Sequence, residues 1–137
     1  LAFYRSQHDN QSWVAALTAV LDTCALLLAV VDTNCRRQAR MTFAMARHAV
    51  ADMRIILARD PVTANPDRLP PAELARLREA LVDARIPLRP SAEAGPRLAE
   101  LRAMYEPAVA ALSALLEMPL PPWVPLASRR EDRVAHF

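Results

Sequence analysis

From Trp13 to Val31 the chain runs nineteen residues, WVAALTAVLDTCALLLAVV, with one charge, Asp22, near the middle. A membrane-spanning helix needs roughly 20 predominantly apolar residues, so the length suits a bilayer. The acid does not, because a carboxylate at the centre of a spanning helix costs about 3 kcal/mol on insertion scales. A helix buried inside protein, with Asp22 facing a partner or taking up a proton, avoids that penalty. The run therefore reads as the central helix of a soluble helical bundle.

The remaining sequence agrees with an all-α fold. A single glycine, Gly95, is too few for a protein made of tight β-turns. Alanine and leucine, both strong helix formers, dominate the composition. Every basic residue is arginine, so arginine is no sign of selection for recognition here. The net charge of +2 gives no case for a nucleic-acid partner. Cys24 and Cys35 are eleven apart, a spacing that fits no metal motif and disfavours a disulfide, so both are expected as reduced thiols.

Proline and short polar residues divide the chain. Residues 1–11 read as an arm leading in from an upstream region, with Asn10 or Ser12 capping the first helix. Asp32-Thr33-Asn34 makes a tight connection to a second helix over about 35–59. On it Thr42, Phe43, Ala46, Ala49, Val50, Met53 and Leu57 fall on an apolar arc. Arg36, Arg40, Arg47 and Arg54 line one edge of that arc, a candidate electrostatic interface. Residues 60–69 read as a loop. Pro70-Pro71 opens a third helix, where a missing N–H costs nothing. A fourth begins near 91–96, with Leu98, Leu101, Tyr105, Ala108, Leu112 and Leu115 as its packing seam and a kink expected at Pro107. Trp123 is expected to fold back onto the bundle end, and residues 126–137 form a polar tail. The expectation is an antiparallel bundle of about four helices with proline-rich connections, one domain over residues 12–125.

Chemistry-bearing constellations are few. His8, His48 and His136 are scattered, and no pair has metal-ligand spacing. His48 and Asp52 sit one helical turn apart, expected as a half-buried pair. Asp22 needs a partner or a raised pKa, and an arginine of the second helix or His48 is the obvious partner. Asp22, His48 and Asp52 are therefore the candidate buried polar and proton-sensing residues. Nucleophile elbows, phosphate loops and dinucleotide fingerprints are excluded by the lone glycine. No enzyme activity, metal site or cofactor is implied.

Several stretches are more specific. Tyr4 to Trp13 (YRSQHDNQSW) and Ala15 to Asp22 (AALTAVLD) come first. Arg37 to Arg40 (RQAR), Thr42 to Val50 (TFAMARHAV) and Arg68 to Pro71 (RLPP) follow, then Leu98 to Pro107 (LAELRAMYEP) and Pro119 to Trp123 (PLPPW). In this order they resemble the cytoplasmic region that follows the pore in bacterial two-transmembrane potassium-channel-family proteins. Ala108 stands where relatives would carry an aromatic residue. The resemblance implies the C-terminal cytosolic part of a longer membrane protein, on the cytoplasmic side of the inner membrane, and Leu1 in place of methionine suits such a fragment. A selectivity filter needs glycines this chain does not have, so the implied role is assembly or regulation. Implied partners are further copies of the chain, as a dimer or tetramer, and the upstream pore region, with His8, Asp9, Asn10 and Trp13 as linker contacts. The alternative reading is a small-molecule or metal-binding bundle that uses Asp22, His48 and Asp52.

Overall fold

Between Ala2 and Val31 nothing in the sequence breaks a helix, neither proline nor glycine, and the backbone stays helical almost throughout. In the computed structural model α1 spans Ala2–Ala29. The structure describes residues 2–57, 66–116 and 120–123, with side chains from residue 13 onward except that of Leu57, so this member of the expected apolar arc lies outside the described side chains. The helix thus starts between two and three turns before Asn10 and Ser12, which are interior positions rather than caps. The former arm belongs to α1. Its end is closed by Val30 and Val31, whose N–H groups both donate to the Leu26 carbonyl.

Four more helices follow: α2 (Arg36–Leu57), α3 (Pro71–Asp83), α4 (Ser91–Ala103) and α5 (Glu106–Leu116). The described residues are all-helical in character, with one isolated antiparallel bridge between Val31 and Leu88. That bridge, flanked by Asp32 N–H to Pro87 O and Arg89 N–H to Val30 O, ties the α1–α2 turn to the α3–α4 turn. The single fourth helix expected from the sequence is two helices. The break falls at Met104 and Tyr105, where the N–H groups reach only to Leu101 and Arg102, a tighter i→i−3 pattern. Pro107 lacks the N–H that would continue α4, so it sits instead in the first turn of α5, where that N–H would have no helical partner anyway.

α1 packs against α2, α4 and α5; α2 and α4 each also pack against α5. The buried row of α1 is Val14, Thr18, Leu21, Asp22, Ala25, Leu28 and Ala29, one face at helical spacing. α2 contributes Ala39, Phe43, Ala46 and Val50; α4 and α5 contribute Leu98, Leu101, Val109 and Leu112. Thr42 and Ala49 of the expected apolar arc are exposed. α3 stands off from the other helices and reaches the core through Leu77. Trp123 is buried against the same core.

α3 ends in a Schellman motif: Ile86 N–H donates to Leu81 O and Arg85 N–H to Val82 O. Arg85 holds the left-handed position at φ 60°, where glycine is the unstrained residue.

Candidate functional site

Six side chains, Asp22, Asp67, Arg102, Tyr105, Glu106 and Trp123, gather around Arg68. It lies just before α3, in the segment after Pro66, and it is largely buried. A guanidinium carries five N–H donors in a fixed plane. All five are used. Nη1 and Nη2 grip Asp22 of α1, at 3.1 Å to Oδ2 and 2.8 Å to Oδ1. Nε and Nη2 grip Glu106 at the start of α5, at 3.0 and 2.9 Å. Nη1 also donates to the Pro121 carbonyl at 3.0 Å. Two bidentate carboxylate pairs on one guanidinium are a geometry lysine cannot copy.

The shell around this pair is equally defined. The Tyr105 hydroxyl donates to Asp22 Oδ1 at 2.7 Å, and its ring, fully buried, meets Phe43 edge-on at 5.8 Å. Arg102 donates to Glu106 at 3.2 Å and to Asp67 at 2.7 Å. Asp67 also accepts from the Leu69 N–H, an Asx turn that fixes the approach to α3. Arg68 and Arg102 both lie over the Trp123 ring, their guanidinium carbons 5.5 and 5.6 Å from its centroid, within cation–π range. The Trp123 indole N–H is buried with no partner among the described residues.

Three acids against two arginines leave one excess negative charge when every group is ionised. Burial pushes the Asp22 carboxyl above its ordinary value. Arg68 and Tyr105 pull it down without cancelling that rise, and the nearby Glu106 adds to it. Burial also works against the Arg68 charge, but its two carboxylates more than offset this and hold the proton tighter. Tyr105 is pushed upward by burial and then by the Asp22 charge, so it remains a hydrogen-bond donor. Asp67 moves the other way, held below its ordinary value first by the Arg102 hydrogen bond and then by the Leu69 N–H.

Beside the cluster opens a cavity of about 390 Å³, walled by Asp67, Arg68 and Glu106 with Pro66, Ala110 and Leu120 as apolar lining.

The sequence-derived candidates are dispersed. Asp22 is buried as expected, but its partner is Arg68, not an arginine of α2 and not His48. The reason is geometric: Arg40 and Arg47 are exposed, and Arg36 turns to the Leu28 carbonyl at 3.4 Å. Arg54 is half-buried, outside the cluster. His48 and Asp52 pair at 3.4 Å, yet on the open surface of α2, 80% and 55% exposed, not half-buried. Asp22, His48 and Asp52 therefore do not share a site. Trp13 is half-buried against the core; His8, Asp9, Asn10 and His136 have side chains outside the described residues. Cys24 and Cys35 are free thiols, and burial pushes the Cys24 thiol up.

Sequence reasoning missed Arg68, Tyr105, Glu106 and Arg102 as one unit. The signal was present: an arginine two residues before the Pro70-Pro71 pair that opens a helix, and an acid directly before Pro107.

The architecture defines an all-helical protein closed by a buried ionic clamp. Among the described residues no helix is long and apolar enough to cross a membrane, and no three His, Cys, Asp or Glu side chains are grouped to hold a metal ion. No family model, curated protein or solved structure matches the chain.

Proposed function

We propose that this chain is a non-catalytic assembly and regulatory domain of a bacterial potassium-channel-like membrane protein, lying on the cytoplasmic side of the inner membrane. It acts through helix packing, self-association and contacts with the upstream pore region. On this reading the helices form an antiparallel bundle whose first helix, α1, carries force from the pore.

One observation carries the reading. Four of the stretches on which the channel resemblance rests are far apart in sequence, yet they supply the clamp. Asp22 comes from AALTAVLD, Arg68 from RLPP, Arg102, Tyr105 and Glu106 from LAELRAMYEP, and Pro121 and Trp123 from PLPPW. A signature whose members converge on a bidentate, fully hydrogen-bonded centre is a fold-determining one. The donors of Arg68 are committed to protein acceptors, which suits a mechanical joint better than a reaction site. Asp22 is then the group through which protons act on the joint, since its protonation removes the excess charge of the cluster and turns the α1–Arg68 contact from an ion pair into a hydrogen bond to a neutral carboxyl.

The reading of Asp22, His48 and Asp52 as one ligand site has no support in their placement.

The experiment is to read the coding sequence upstream of Leu1 and, where two apolar spans flank a filter-like glycine motif, to reconstitute the whole protein in liposomes. Potassium flux is then compared between the intact protein and a form lacking residues 12–125. Altered assembly or gating in the truncated form is the expected result. Upstream sequence without such spans overturns the reading.

A further inference from the structure

The outward face of α2 carries apolar side chains that the fold does not use. Met41 is 60% exposed, Met45 73%, Ile55 73% and Ile56 69%. With His48 and Asp52 they fall within about 100° of one another around a helix of 3.6 residues per turn. They form one row opposite the buried face of Phe43, Ala46 and Val50. Large apolar side chains grouped on one face of a surface helix, rather than scattered singly, mark a contact surface.

From this row we infer that α2 pairs with α2 of a second copy of the chain, antiparallel, about a two-fold axis. The row is its own complement. In an isologous contact, residue i meets residue j and j meets i. Setting His48 against Asp52 of the second copy sets Asp52 against the second copy's His48. The same register places Met45 against Ile55 and Ile55 against Met45, and drops Ile56 opposite the small Ala44. A polar pair at the centre with apolar pairs on either side reproduces the order found at coiled-coil seams, where the polar contact fixes register. In the single chain His48 and Asp52 already face each other at 3.4 Å, and the second carboxylate oxygen is available to the other copy.

The exposed Arg37 lies on the same face as Asp52, so charge alone does not turn away an anionic membrane. The second copy is chosen because the row supplies from its own residues a partner for each of Met45, His48, Asp52 and Ile55, and a membrane is an outcome of the test. A single helix face is less than the roughly 800 Å² per partner of a standard interface. The free chain therefore associates weakly, and the contact gains strength when copies are tethered at effective concentrations on the order of mM. The inference rests on the proposed self-association only for its setting. It is tested on the chain alone, so its failure leaves the channel reading standing, and the reverse.

Sedimentation velocity from about 10 µM to about 1 mM, the range set by such tethering, is the first measurement. A concentration-dependent dimer is expected, weakened at least about tenfold by Met45→Glu with helical circular dichroism and melting unchanged. In a Cys35→Ser background, Met45→Cys mixed with Ile55→Cys should cross-link faster than either variant alone. A monomer at every concentration overturns the inference, as does a dimer indifferent to Met45→Glu. Equal cross-linking rates overturn the register. A monomer that sediments with anionic vesicles through Met45 assigns the face to a membrane and overturns the second copy.

Discussion

Arg68 and Asp22, 46 residues apart in sequence, share two parallel hydrogen bonds of 2.8 and 3.1 Å in a setting where both side chains are nearly closed to water. This contact decides how the chain closes. Apolar packing brings α1 against α2, α4 and α5, but packing alone leaves helices free to slide. A planar guanidinium between two carboxylates fixes position and rotation at once. The Pro121 carbonyl and the Trp123 ring extend the same joint to the segment beyond α5.

Removing the guanidinium leaves Asp22 buried and Glu106 half-buried without their shared partner. Breaking a buried pair by deleting one member costs about 3–5 kcal/mol. Arg68→Met should lower urea-unfolding stability by about that amount, and Arg68→Lys by less, since an ammonium keeps the charge but not the double fork. In a double-mutant cycle, adding Asp22→Asn to Arg68→Met should recover part of the loss. An Arg68→Met protein within about 0.5 kcal/mol of the parent would mean the clamp has no structural role.

Tyr105 separates shape from hydrogen bonding. Its ring fills the core and its hydroxyl serves Asp22. Tyr105→Phe keeps the ring and deletes one hydrogen bond to a charged acceptor, an expected cost of about 1.5–3 kcal/mol. Tyr105→Ala adds a cavity and should cost about 3–5 kcal/mol. Thermal melting of the two variants side by side checks the ratio; equal losses would show that the hydroxyl contributes nothing.

The helical class was legible because periodicity and the absence of breakers are local. Leu98, Leu101, Tyr105 and Leu112 are buried where their spacing places them, whereas Leu115 of the same expected seam is exposed and Ala108 half-buried. The partner of Asp22 was not legible, because α2 arginines lie closer in sequence and sequence distance says nothing about which helix faces which. Arg68 sits in a proline-rich stretch that reads as a connection, and its role appears only when α1, α5 and Pro121 are brought to it. The start of α1 was misplaced for a related reason: Asn10 and Ser12 have capping chemistry, but a cap needs a chain that leaves the helix there, and nothing in Ala2 to Gln11 forces it to.

One backbone position predicts a gain and another a balance. Gly95 lies inside α4 directly before Pro96, and apart from its chain neighbours a Cβ added there meets nothing within 4 Å. Gly95→Ala brings the better helix former but sets its Cβ against the Pro96 ring, which opposes helical backbone in the preceding residue, so the net change should stay within about 0.5 kcal/mol. Arg85 occupies the left-handed cap of α3 at φ 60° with its side chain exposed. Arg85→Gly relieves a conformation that disfavours L-residues and should add about 1 kcal/mol. The pair are far from the clamp in chemistry, so their effects should add in a denaturation series. Loss of stability in Arg85→Gly would contradict the Schellman geometry.

The two acids of the cluster predict opposite responses to pH. Asp22 has its folded-state pKa raised by burial, so in the window above its unfolded value of about 3.9 the folded chain binds more protons than the unfolded one. Its ionisation therefore opposes folding, and its contribution improves as pH falls through that window. Asp67 has its folded-state pKa lowered by Arg102 and the Leu69 N–H. Its contribution is complete above the unfolded value and is lost as pH falls through the folded one. Comparing unfolding free energies from pH 7 down to about 3, the range spanning both transitions, against Asp22→Asn and Asp67→Asn isolates the two terms. The parent should gain on Asp22→Asn as acid is added and lose ground to Asp67→Asn. Carbon-detected NMR of the side-chain carboxyls gives the same answer site by site: the Asp22 resonance should titrate above the Asp67 resonance. The reverse order would place the excess charge of the cluster elsewhere and remove Asp22 as the proton-responsive member of the joint.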